Sequence, residues 1–168
     1  MRRLSSLLAL GLVTIVAATS ASCSTKTPSQ VRAGEVYVAS IRWLASANAG
    51  DPDPIRVFIE PRGEGTAIAL DVQAEVVAAT HEFADVRFID ARDEALMAAK
   101  DGTTVVRDDG MLIRLGPVVE DGERIALEVD RWSDGETFLT FQFSLRRVGD
   151  QWQVLNDPVP TGTLDLES

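Results

Sequence analysis

The last third of the chain alternates apolar and polar residues with a period of two. Between Arg124 and Trp132, Ile125, Leu127 and Val129 fall on one side, and Ala126, Glu128 and Asp130 on the other. Between Phe138 and Arg147, Leu139, Phe141, Phe143 and Leu145 alternate with Thr140, Gln142, Ser144 and Arg146. Asp121-Gly122, Asp134-Gly135 and Gly149-Asp150 punctuate these runs, and Trp152 to Leu155 follow the last turn. Alternating runs split by such turns predict β-hairpins. One apolar face per strand predicts a sheet covered on one side. Met111 to Val118 reads as the strand before this meander.

The first half carries the helical period instead. Thr27-Pro28 with Gln30 is a capping-box pattern with proline where its missing N–H does no harm. Val31, Gly34, Val38, Ile41 and Ala45 share a face, and Asn48 and Gly50 are stop signals, so a helix is predicted over about 29–48. Asp51-Pro52-Asp53-Pro54 is a stiff turn, and Ile55 to Glu60 reads as a strand. A second helix is predicted from Asp71, as cap, to Phe83, burying Val72, Val76, Ala79 and Phe83. Val86 to Asp90 is the next strand, and strand–helix–strand predicts a crossover between parallel strands. Asp93 to Ala99 fits a short helix before Asp101-Gly102. From Asp157 onward, Pro158, Pro160 and Gly162 predict an irregular tail.

These elements make an α+β domain over 28–157, with an irregular tail at 158–168. Two helices pack on one face of a mixed, mostly antiparallel sheet of five or six strands. The expected core includes Ile41, Val76, Leu127, Phe141 and Phe143, with Glu128, Gln142 and Ser144 facing away. The closing pattern of Arg146, Arg147, Gly149, Asp150, Trp152 and Val154 is similar to the end of NTF2-like domains, which implies a cone-shaped α+β fold as the alternative. The crossover between 55 and 90 departs from that family.

The first 23 residues follow a different logic. Arg2 and Arg3 precede the apolar run Leu7 to Ala18, and small residues lead from Thr19 to the single cysteine, Cys23. A positive start, an apolar stretch and a small-residue cleavage zone define a secretory signal. With Cys23 at its end, the segment resembles the signal of a bacterial lipoprotein, although Ser20 stands where that family usually carries an aliphatic residue. The resemblance implies removal of residues 1–22, fatty acylation (a palmitate-type lipid) on Cys23, and a cell-membrane location on the extracytoplasmic side. Residues 23–27 become a lipidated cysteine and short tether. An ordinary secreted protein and a retained membrane anchor are the competing readings. The run of 12 residues is short against the roughly 20 that a spanning helix needs.

Charge narrows the partners. The whole chain has net charge −10. Without residues 1–22 the basic residues fall from 16 to 14 against 26 acidic, giving −12. That excludes the basic footprint of a nucleic-acid binder and a polybasic membrane contact. The single cysteine leaves no internal disulfide.

Chemistry is sparse in the sequence. His81 is the only histidine and suits the carbonyl end of the second helix. One His and one committed Cys give zinc no ligand set, and no cofactor motif is present. Asp90, Arg92, Asp93 and Glu94 gather where a strand ends, a usual place for sites in α/β sheets. Asp108-Asp109-Gly110 and Asp130 with Asp134 lack calcium-loop spacing and read as turns. Trp132 falls on the outward register of its strand, and an exposed Trp there suggests a binding patch. Trp43 belongs near the helix–sheet boundary and Trp152 in the core. The sequence thus points to a membrane-tethered envelope lipoprotein that binds a protein partner without catalysis. The alternatives are a small-ligand carrier and an acid-dependent hydrolase of the envelope using the acids around Asp90 to Glu94.

Overall fold

The computed structural model describes residues 28–46, 53–63, 67–133, 137–155 and 157–165. The helices are α1 (Pro28–Ser46) and α2 (Leu70–Thr80). The strands are β1 (Ile55–Pro61), β2 (Ala84–Phe88), β3 (Leu96–Ala98), β4 (Thr104–Val106) and β5 (Met111–Leu115). They continue with β6 (Val119–Asp121), β7 (Arg124–Trp132), β8 (Thr137–Val148), β9 (Gln151–Val154) and β10 (Pro160–Asp165). The large sheet runs β10-β8-β7-β5-β1-β2, with β6 added to β7 and β9 to β8. β3 and β4 form a separate two-stranded ribbon.

The fold is the expected α+β arrangement, and its parallel part is where the crossover was predicted. β1 pairs in parallel with both β2 and β5, and the remaining pairs are antiparallel. α2 returns the chain from β1 to β2. Its buried stripe is Val72, Val76 and Thr80. Ala79 is exposed rather than buried, because the helix starts at Leu70 and its i, i+4 stripe ends on Thr80. Thr80 is accommodated there by donating its hydroxyl to the Val76 carbonyl at 2.8 Å. Ala69, with no side-chain cap, precedes the helix, and Asp71 sits in the first turn.

The main core lies between the helices and the sheet. Val36, Tyr37, Ile41 and Leu44 of α1 join Val57, Ile59, Val76, Leu127, Val129, Phe141, Phe143 and Leu145 in one buried cluster. Trp43 meets Phe143 edge-on, with ring centroids 5.4 Å apart. Leu127 pairs with Phe143 and Val129 with Phe141, all inward, whereas Glu128 and Gln142 are exposed. The period-two register is therefore the one expected from the sequence. Trp152 is half-buried at the rim of this cluster and donates its indole N–H to Glu35 at 2.9 Å.

Three local expectations are corrected. Asp93 to Ala99 is not a helix: Arg92–Glu94 form one 3-10 turn, and Leu96–Ala98 pair with Thr104–Val106. That stretch is too short to bury a helical stripe, whereas as a ribbon it covers the sheet. The strand from Met111 breaks at Gly116-Pro117 into β5 and β6. The tail is also ordered, because Pro160–Asp165 pair with β8 across a register shift between Pro160 and Gly162. β10 is an edge strand, where proline at the first position removes no needed ladder bond. Thr27, Asn48, Gly50, Asp51, Pro52, Asp134, Gly135 and all of residues 1–26 lie outside the described residues.

Phe143 is fully buried between sheet and α1. Phe143→Ala is expected to lower the unfolding free energy by about 3–5 kcal/mol in urea titrations, through lost burial and an unfilled cavity. A loss below about 1 kcal/mol would mean that the register places this ring elsewhere.

Candidate functional site

The outer face of the sheet, away from the helices, is built from the other half of the alternation. It falls into rows across the strands. Phe58 pairs with Leu112, and Trp132 with Phe138. Together with Ile89 and Ala95 they form a second buried apolar cluster, with Leu96 and Val106 packed against it. The segment from Ala91 to Arg107 covers this half of the face. Trp132 accordingly has the outward register expected for it but is only 8% exposed. Its ring stands edge-on to Phe138 at 5.4 Å. The expected exposed Trp fails because this sheet is covered on both faces at that end.

The next row is charged. Glu60 pairs with Arg114, Arg114 with Asp130, and Asp130 with Thr140, across β1, β5, β7 and β8. Asp130 is fully buried. Its carboxylate accepts from Arg62 Nε at 2.8 Å and from the Thr140 hydroxyl at 2.8 Å. Arg114 Nε lies 3.9 Å from the same carboxylate, too far for a hydrogen bond, and has no hydrogen-bond partner. Arg114 instead lies over Phe138, its guanidinium carbon 5.0 Å from the ring centroid. Arg92 approaches the same ring at 5.4 Å and pairs with Glu60 at 2.9 Å. Arg62 also pairs with Glu128.

Gly116 lets β5 end in close backbone contact with β7, its N–H donating to the Glu128 carbonyl at 3.0 Å. A Cβ there would meet the Glu128 carbonyl oxygen at 2.9 Å and Arg62 Cδ at 3.6 Å. Beyond the charged row the face is open. Glu128 and Gln142 are exposed, Ala126 and Ser144 are half-buried, and Arg124 faces Arg146 at the end of the strands.

Of the residues singled out in the sequence, Arg92, Trp132 and Asp130 reach this face; Asp130, read there as a turn residue, is instead fully buried within β7. Asp90, Asp93 and Glu94 are exposed on the turn beside this face. Glu94 accepts the backbone N–H groups of Asp90 and Ala91 at 3.1 Å each, so it holds the turn together. Asp93 contributes its carbonyl to Arg107 at 3.2 Å. Asp108 and Asp109 adopt positive φ, as expected for a turn, and Asp108 pairs with Arg56. His81 is exposed beside the end of α2, its Nδ1 2.8 Å from the Ala78 carbonyl. No group of three or more metal-ligating side chains occurs among the described residues.

The sequence analysis missed Glu60, Arg62, Arg114 and Thr140. Each is an outward position on its strand, but their convergence needs the β1-β5-β7-β8 order, which alternation does not carry. An open recess of about 330 Å³ also borders this face, lined by Val105, Val106, Met111, Leu112, Trp132 and Asp109.

The arrangement is a set of fixed hydrogen-bonding groups and charges on a rigid sheet, suited to recognising a polar surface. Asp130→Ala should destabilise the domain by about 3–5 kcal/mol in urea unfolding, because it strands Arg62 and Arg114 near the interior. A change within about 0.5 kcal/mol, as for an ordinary surface site, would show that the carboxylate holds nothing. No family model matches the chain, and no curated protein or solved structure matches it.

Proposed function

We propose that this chain is a lipid-anchored lipoprotein of the cell envelope, facing the extracytoplasmic side, and that it acts as a non-catalytic binding module for an envelope protein. The carrying observation is Cys23, the only cysteine, closing a signal-like segment five residues before the start of α1. Two or more acyl chains hold a protein stably on a bilayer, whereas one does so marginally. No described helix is long and apolar enough to cross a membrane.

The binding half of the reading rests on the open end of the outer face. Glu128 and Gln142 present polar groups on strands locked from behind by the main core. A partner meets fixed groups there, which limits the ordering cost of association. The acidic excess suits solubility and steering toward a basic partner and disfavours nucleic acid.

A small-ligand carrier is the second reading, favoured by the recess beside Trp132, whose volume is near the lower end for ligand sites. It expects a small molecule to co-purify, read by native mass spectrometry. The hydrolase reading has less support, since Asp90, Asp93 and Glu94 lack the burial that tunes a catalytic acid.

Cys23→Ser is expected to leave folding intact and to move the protein from the membrane fraction, or stall it uncleaved, with loss of a fatty-acid label. An unlabelled, soluble parent chain would contradict the anchor. For the partner, crosslinking in intact cells should enrich one envelope protein over a control lipoprotein. Recovery of abundant bystanders alone would contradict the binding role.

A further inference from the structure

The start of α1 and the start of α2 lie at one end of the domain. The two helices run side by side in the same direction. Gly34 meets Glu75, and the Arg42 guanidinium carbon lies 4.5 Å from the Phe83 ring centroid, an offset of 41 residues at both points. The same offset sets Pro28 level with Ala69, just before α2 begins. This is also the end where β1 and β5 finish, since α2 starts from the loop after β1. Cys23 precedes Pro28 by five residues, a reach of at most about 18 Å when extended.

Three aliphatic side chains stand in water at this end. Leu70, in the first position of α2, is 81% exposed. Val119 is 54% exposed on β6, which carries the chain past the end of β5. Val148 is 44% exposed at the end of β8, next to β9, whose Trp152 is bonded to Glu35 in the first half of α1. Arg124 faces Arg146 on the same strand ends, and Arg147 follows. At the far end of α2, Val77 is 42% exposed in the last turn, and the polar residues His81 and Glu82 follow the helix, both exposed.

We propose that Leu70, Val119 and Val148 rest on the phospholipid bilayer that holds the Cys23 lipid, so that the domain stands on the membrane with this edge down. The proposal rests on the lipidation of Cys23. A tether of this length keeps the edge within reach of the headgroups, and exposed aliphatic residues lower their free energy by entering the headgroup–acyl boundary. Asp71, Glu120, Asp121, Glu123 and Asp150 accompany Arg124, Arg146 and Arg147 at this end. The edge therefore has no basic excess, and apolar contact rather than anionic lipid holds it. The orientation also leaves the open rows of the outer face, from Glu128 to Arg124, beside the bilayer, so a partner approaches along the membrane.

The test uses the lipidated full chain in vesicles of phosphatidylethanolamine and phosphatidylglycerol. With the Cys23 sulfur acylated, a cysteine introduced as Leu70→Cys or Glu82→Cys is the single thiol open to an environment-sensitive fluorophore. Position 70 is expected to blue-shift and to be quenched by brominated lipid several-fold more than position 82, with Val119→Cys behaving like 70. Equal, weak quenching at all three positions in a chain that floats with the vesicles and carries the fatty-acid label would overturn the orientation and leave the anchor standing. A chain that neither floats nor carries the label would overturn both.

Discussion

A carboxylate buried in a sheet must find its charge partners inside the protein, because removing it from water costs several kcal/mol. Asp130 meets this demand with Arg62 and Thr140 at 2.8 Å and Arg114 at 3.9 Å. Those partners come from the end of β1, from β5 and from β8. One side chain thus ties together strands that are distant in sequence. It also sets the boundary on the outer face. On one side of it the ribbon and turn from Ala91 to Arg107 seal an apolar row; on the other, Glu128 and Gln142 stay in water.

The division explains why an acidic domain without disulfides is ordered at both faces of its sheet. The helix side is a conventional apolar core. The outer side replaces a second helix layer with Phe58, Leu112, Trp132 and Phe138, roofed by Ala95, Leu96 and Val106. Arg92 and Arg114 lie over the Phe138 ring, at 5.4 and 5.0 Å, bridging the apolar row and the charged one. A guanidinium over an aromatic face combines apolar contact with retained charge. Arg114 Nε is left without a hydrogen bond, so the Asp130 charge and the Phe138 ring are what compensate its burial.

Much of the fold was legible because it rests on periodicity. The alternation of Ile125, Leu127 and Val129 against Phe141, Phe143 and Leu145 gave both strands and their inward faces. The helical spacing through Ile41 and Val76 gave the two covering helices. What escaped has a common physical cause, which is dependence on non-local pairing. Trp132 was on the outward register in the sequence as in the structure, but its cover comes from a ribbon whose β3 and β4 are only three residues each. Such short segments carry no readable period. The tail escaped because Pro160 and Gly162 weaken any strand except one at a sheet edge, and edge position is a tertiary property. Of the residues on this face, the sequence analysis named Arg92, Trp132 and Asp130, but Trp132 for an exposure it lacks and Asp130 as part of a turn. The row of Glu60, Arg114, Asp130 and Thr140 was not legible, since it exists only once β1, β5, β7 and β8 are side by side.

The most direct measurement is a double-mutant cycle on Arg62 and Asp130, each replaced by alanine singly and together, with urea unfolding of all four chains. If the buried carboxylate and Arg62 act as one unit, the double variant is less destabilised than the sum of the singles, with a coupling of about 1–3 kcal/mol. Additivity within about 0.5 kcal/mol, the behaviour of independent sites, would contradict the claim that this ion pair organises the outer face.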